Sequence, residues 1–95
     1  MVYYVYLLKT KKNYPKKSYV GYTNNLQDRL NKHNTGKGAK STKGYKWSII
    51  YKKSFFTKND AMSYEYKLKN DRKKRLSIIK KNNDKKIKNS NNSSI

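Results

Sequence analysis

Apolar positions along this chain fall into short blocks set apart by polar, lysine- and asparagine-rich stretches. The first ten residues, MVYYVYLLKT, are aromatic and β-branched and then leucine-rich, and they give way to a Lys/Asn stretch containing Pro15. This pattern predicts a buried strand over 1–10 and a turn over 11–17, since proline cannot donate to a continuing ladder. SYVGYT, at 18–23, reads as a second short strand, so the pair forms a hairpin. Asn24 and Asn25 suit the N-cap of a helix over 26–34, which Gly36 ends. Residues 36–46 read as a glycine-, serine- and lysine-rich loop, and WSIIYKKSFF, at 47–56, as a third strand. TKND at 57–60 is a capping box with Asp in place of Glu or Gln, opening a helix to about Lys69. Residues 71–81 make a further helix whose few apolar residues are Leu76, Ile78 and Ile79. From Asn82 onward almost nothing is available to bury, and disorder is expected.

The order β, β, α, β, α, α predicts a small α+β domain over 1–81, with a three-stranded, mostly antiparallel sheet flanked by helices. A disordered basic, Asn- and Ser-rich tail follows over 82–95. A length of 95 residues suits one such domain. Periodicity alone does not place the third strand relative to the first two.

The same periodicity contains an anomaly. On the first helix Leu26, Arg29, Leu30 and His33 stand at i, i+3, i+4 and i+7, the spacing of one inward stripe. On the second, Ala61, Tyr64, Glu65 and Leu68 repeat the spacing. Arg29, the single histidine and the single glutamate therefore all face inward. A carboxylate or guanidinium buried alone costs several kcal/mol, so each needs a partner, a metal or a wet cleft. One reading is a structural Arg29–Glu65 ion pair with His33 a satisfied core histidine; the other is a functional site. On the strands, Tyr4 and Tyr6 share one face, Tyr19 and Gly21 another, and the glycine signals a bulge or a close approach by a ligand or another backbone.

Composition narrows the partners. Lys and Arg total 25 against five acids, a formal charge of +20, and such a field favours a polyanion, most simply nucleic acid. Because 22 of the 25 are Lys, and Asn, Ile and Tyr are also abundant, an AT-rich genome would produce much of this by codon bias. Weight therefore moves from the total to the residues that such a bias does not favour. Only 34% of the chain is hydrophobic, and ten residues are tyrosines that bury a ring while keeping a hydroxyl available. The absence of cysteine removes disulfides, thiolate chemistry and zinc sites with Cys ligands. No apolar run approaches a membrane span and no signal-peptide order opens the chain, so no membrane partner is expected. An intracellular setting, cytoplasmic or nuclear and not secreted, is expected.

These residues together resemble the GIY-YIG nuclease superfamily. Tyr4-Val5-Tyr6 is similar to its first signature and Tyr19-Val20-Gly21 to its second, with Arg29, His33 and Glu65 following in the family's order. HNTGKGAKSTKGYKW and FFTKNDAMSYEYKLK are most similar to the nuclease domain of Slx-type structure-specific endonucleases and to small single-domain bacterial relatives. The resemblance spans roughly residues 2–80.

It implies a divalent-metal-dependent endonuclease acting on DNA. Glu65 would be the sole protein ligand of one Mg²⁺ or Mn²⁺ ion, Tyr6 and Tyr19 would lie beside the scissile phosphate, and Arg29 would offset its developing charge. His33 would assist by hydrogen bonding. Gly21 is expected at the site, and Lys37, Lys40 and Lys43 are candidates for backbone contacts. The first signature's glycine is Tyr4 here, and Tyr22 occupies a position where some repair nucleases carry a lysine. Without cysteine, the zinc module of the Slx-type enzymes is missing, so a protein partner supplying targeting is a further expectation. Low sequence specificity and recognition of branches, flaps or nicks follow. A non-catalytic nucleic-acid-binding module of the same fold is the alternative.

Overall fold

The computed structural model describes residues 1–93, with side chains through Asn83. Strands β1 (Tyr3–Thr10), β2 (Ser18–Thr23) and β3 (Trp47–Phe55) form one sheet in the order β2-β1-β3. Both pairings are antiparallel. β1 is thus the central strand, and it explains its own composition: Val5, Tyr6, Leu7 and Leu8 are all buried because both faces of the sheet are covered. The place of β3, which periodicity left open, is the second edge. A bulge opposite Leu7 and Leu8 puts Ile50 and Tyr51 on the same side of β3, against one apolar cluster.

Helix α1 (Leu26–Asn34) covers one face, where Tyr6, Leu8 and Trp47 form the buried cluster with Leu26 and Leu30 against it. Helices α2 (Lys58–Lys69) and α3 (Arg72–Ser93) cover the other, where Ala61 and Leu68 of α2 pack on Val5, Leu7 and Val20. The caps follow the sequence: Asn25 accepts from Asp28 N–H at 3.1 Å and Thr57 from Asp60 N–H at 3.1 Å. Asp71 accepts from Lys74 N–H at 3.0 Å and starts α3.

α3 continues through position 82, where the sequence places the start of a disordered tail, and runs to Ser93. Once nucleated, a helix adds one hydrogen bond for each further residue fixed, so its backbone can outrun the last residues that pack. Positions 94–95 of that expected tail lie outside the described residues. At the expected boundary Lys9 Nζ donates to Asn83 at 2.6 Å, tying the helix to β1.

Candidate active site

Two edges of the fold meet at β2. Tyr6 on β1 pairs with Gly21 on β2, and Leu8 with Tyr19. Because Gly21 has no side chain, the Tyr6 ring folds over it, and a Cβ at position 21 would stand 2.6 Å from Tyr6 Cζ. The close approach that a glycine within a strand announces is therefore made by the protein's own phenol. The Tyr6 and Tyr19 ring centroids lie 6.4 Å apart.

Behind Tyr6 stands His33, fully buried at 0% exposure. Its Nδ1 lies 2.9 Å from Thr42 Oγ1 and its Nε2 2.8 Å from the Tyr6 hydroxyl. Thr42 Oγ1 is also 2.8 Å from the Ala39 carbonyl, which can only accept. The threonine's one proton is thereby spent, so Nδ1–H donates to Thr42 and Nε2 accepts from the Tyr6 hydroxyl. Hydrogen-bond bookkeeping alone assigns the tautomer, and the Arg29 guanidinium faces the Tyr6 oxygen from the cleft.

The loop after α1 is shaped to hold that imidazole. Gly36, at φ 79°, closes α1: its N–H donates to the His33 carbonyl, and Lys37 N–H to the Lys32 carbonyl at 2.8 Å. Gly38 then passes directly over the ring, where a Cβ would meet His33 Cε1 at 3.1 Å. Trp47 Nε1 donates to the Thr42 carbonyl at 3.0 Å and fixes the far end of the loop. Asn34 holds Trp47 in turn, accepting from its N–H at 2.6 Å and donating to its carbonyl at 3.3 Å. The glycines, threonine and tryptophan of this loop thus form one support for one proton position.

Electrostatics agree with the tautomer. Burial, with a smaller contribution from the Arg29 charge, pushes His33 below its ordinary value of 6.5, so it is neutral at pH 7. Burial pushes Tyr6 up to about 12, and the nearby Arg29 only partly offsets this. Tyr6 is a neutral phenol at neutral pH.

Tyr6, Tyr19, Gly21, Arg29 and Glu65 line one open cleft of about 450 Å³, with walls from α1, α2 and β2. Arg29 and Glu65 form no ion pair; Glu65 instead lies 3.7 Å from Lys69 Nζ, one turn along α2. Arg29 Nε is buried and finds no hydrogen-bond partner among the described residues. An unpaired guanidinium donor in a polar cleft is a site that lacks its acceptor. His33 stands behind the wall, its Nε2 occupied by Tyr6. The expected contact residues Lys37, Lys40 and Lys43 are exposed on the loop over His33 and do not line the cleft.

Lys58, Asn24 and Tyr3 do line it, and the sequence reading missed all three. Lys58 had a signal: it is the first residue of α2, where a cation opposes the helix dipole. A local rule broken at the mouth of a cleft is a functional hint. Among the described residues no three His, Asp or Glu side chains converge as a metal cluster.

A small α+β sheet with paired tyrosines, an arginine whose Nε lacks an acceptor and a lone glutamate in one cleft defines a class, and the sequence comparison agrees. The family model described as the GIY-YIG catalytic domain matches residues 2–88, and the chain belongs to that family, a superfamily of nucleases. Within it, the chain is similar to UPF0213 protein YazA of Bacillus subtilis, 43% identical over 86 residues, covering 87% of this chain and 84% of that one. A UPF0213 protein of Oceanobacillus iheyensis is 46% identical over 68 residues, 70% and 76% of the two chains. The solution NMR structure of a UPF0213 protein from Bacillus halodurans is 34% identical, covers 84% of each chain and superposes with a TM-score of 0.48. The two sequence relatives are bacterial UPF0213 proteins, the small bacterial side of the expected resemblance. Their bacterial origin lends no support to a nuclear setting. No helix among the described residues is long and apolar enough to cross a membrane.

Proposed function

We propose that this protein is a DNA endonuclease that hydrolyses phosphodiester bonds in the cleft between α1, α2 and the β2 edge. The observation that carries this is the buried, partnerless Nε of Arg29 beside Tyr6, Tyr19 and Glu65. A phosphate oxygen is the acceptor that a planar guanidinium fork fits best.

With a phosphate there, the attacking water loses its proton to the Tyr6 oxygen as the Tyr6 proton passes to His33 Nε2, 2.8 Å away. A phenol held near 12 supplies no standing phenolate at pH 7, so the transfer runs as a relay into the neutral imidazole. Thr42 keeps Nδ1–H in place throughout. Arg29 offsets the charge that grows on the phosphate, and Tyr19 closes the other side of the cleft. Lys58 adds a second positive charge there, filling the part of the lysine that Tyr22 replaces.

Glu65 fits a single Mg²⁺ or Mn²⁺ ion, because a hard cation of this kind keeps several waters and needs only one or two carboxylates beside substrate oxygens. Such an ion, when bound, would neutralise phosphate and leaving-group charge. With no reading element in the cleft beyond these groups, sequence specificity is low, and branches, flaps and nicks are the favoured substrates. Targeting to them is a role for a protein partner.

The test incubates the purified protein with nicked, flapped and branched duplexes, with and without Mg²⁺. The proposal expects metal-dependent cleavage that falls by about 10²–10³ or more in Arg29→Ala and in Glu65→Ala. Cleavage that survives either substitution sinks the assigned site. Tight binding with no cleavage in several metals would make the protein a binding module.

A further inference from the structure

Beside the cleft, on the outer edge of β2, lies a second and smaller depression of about 250 Å³ lined by Ser18, Tyr19, Val20, Lys69 and Arg75. It shares Tyr19 with the cleft, so the two adjoin at one residue. No acidic side chain lines it, and two cations do.

Arg75 is fixed there. Its Nη1 donates to the Leu68 carbonyl at 2.8 Å, which also accepts from Asp71 N–H, and to the Lys69 carbonyl, both at the end of α2. A guanidinium carries five N–H donors in a rigid fork, and these two bonds engage one nitrogen. The remaining donors belong to a side chain already half-buried and already ordered, which lowers the entropy cost of binding an anion. Lys69 stands one turn from Glu65 on the same face of α2, paired with it at 3.7 Å, and lines the depression with Arg75. Ser18 begins β2 and shares the next depression along with Lys16 and Lys9. Neither depression along this edge is lined by an acidic residue, and the Glu65 carboxylate of the cleft lies 3.7 Å from Lys69 Nζ.

We propose that Arg75 and Lys69 form a second phosphate subsite, which holds the backbone phosphate of the DNA strand on one side of the bond being cut. The inference rests on the nuclease reading and deepens it: the subsite fixes which arm of a nicked or flapped substrate lies along β2. From Gly21 to Ser18 the strand advances about 10 Å, and a DNA strand advances about 3.4 Å per nucleotide along its axis. The edge therefore serves roughly two or three nucleotides. Recognition is by phosphate alone and carries no sequence information.

The test measures binding of nicked and flapped duplexes across a salt series, with Glu65→Gln as the parent to prevent turnover, and adds Arg75→Gln or Lys69→Gln. Each is expected to reduce the slope of log affinity against log salt by about 0.7–0.9, the value of one lost phosphate contact. In the cleavage-competent protein, the same substitutions lower kcat/KM mainly through KM. Trimming the substrate one nucleotide at a time from the mapped cut supplies the control for Arg75, whose substitution also frees the end of α2. Trimming on one side should weaken the parent, and Arg75→Gln should be insensitive to that side only. An unchanged salt slope overturns the subsite, as does a loss that is equal on trimmed and full substrates. An unsubstituted protein that cleaves nothing overturns the nuclease function instead, and the salt-slope arm still decides whether the subsite binds phosphate.

Discussion

The two faces of this sheet are built on different principles. The face under α2 and α3 is filled by Val5, Leu7, Val20, Ala61 and Leu68, and its main polar link is the 2.7 Å contact between the Tyr51 and Tyr64 hydroxyls. The face under α1 carries Tyr6, Leu8 and Trp47, but at its centre places a buried histidine bonded at both nitrogens and a buried threonine. Apolar packing is forgiving, since side chains of similar volume substitute at modest cost. A buried polar network is not, because each member left unpaired costs its full desolvation. One face holds the fold together, and the other holds a proton in place.

That contrast can be broken first where stability is concentrated. Leu7→Ala removes a fully buried side chain from the central strand on the apolar face and is expected to cost about 2–5 kcal/mol. This is a large share of the roughly 5–15 kcal/mol available to a small domain. Cleavage per folded molecule should stay near that of the parent, since the residue faces away from His33. Chemical denaturation beside an assay below the unfolding transition reads both. A cleavage defect that persists in fully folded Leu7→Ala would mean that the faces are not separable.

Thr42→Val sharpens the comparison from the other side. The change conserves shape and removes only the acceptor for His33 Nδ1–H and the donor to Ala39, at a cost of about 1–3 kcal/mol. Without that acceptor the imidazole loses its reason to keep its proton on Nδ1, and the Tyr6 hydroxyl loses its acceptor at Nε2. Cleavage should fall at least tenfold, equivalent to about 1.4 kcal/mol of barrier, while Thr42→Ser restores it. Equal stability loss with undiminished cleavage would remove Thr42 from the relay.

Much of this division is written in the chain, though unevenly. The i, i+3, i+4, i+7 stripes put Arg29 and Glu65 on inward faces, and the strand periods put Tyr19 and Gly21 on one face of their strand, because these are local regularities; that Tyr6 meets them there comes from the pairing of β1 with β2. What the stripes do not say is which inward residue reaches the cleft. Arg29 does, whereas His33, one turn later, lies wholly behind Tyr6, a difference made by the loop folded over it. The roles of Gly38 and Thr42 come from contacts across a loop, which no period encodes. Lys37, Lys40 and Lys43 drew attention by composition, but a lysine in a flexible-looking loop carries no direction. Lys58, a single exposed lysine among 22, reaches the cleft only because Thr57 sets where α2 begins. The position of β3 depends on pairing between segments about forty residues apart, and the bulge at Ile50 on that pairing.

The smallest expected effect is a pH response confined to the polar face. His33 is packed against Tyr6 and Tyr19, with ring centroids at 5.8 and 5.0 Å, and the Arg29 charge stands near it on its own helix. No carboxylate is among these neighbours, so nothing rewards its protonation. With the folded-state value held below the ordinary 6.5, the unfolded chain binds the proton first as pH falls. Stability from this group is complete above pH 6.5 and declines below it, by no more than about 1.4 kcal/mol per pH unit. The same protonation blocks the acceptor of the Tyr6 proton, so the acid limb of cleavage should have its midpoint below 6.5. His33→Asn should flatten the stability curve between pH 5 and 6.5 relative to the parent, measured by denaturation midpoints at fixed salt. An acid limb above 6.5, or an unaltered curve in the variant, would place a charge-stabilising partner beside the imidazole and make the face under α1 as permissive of ions as a solvent-exposed one.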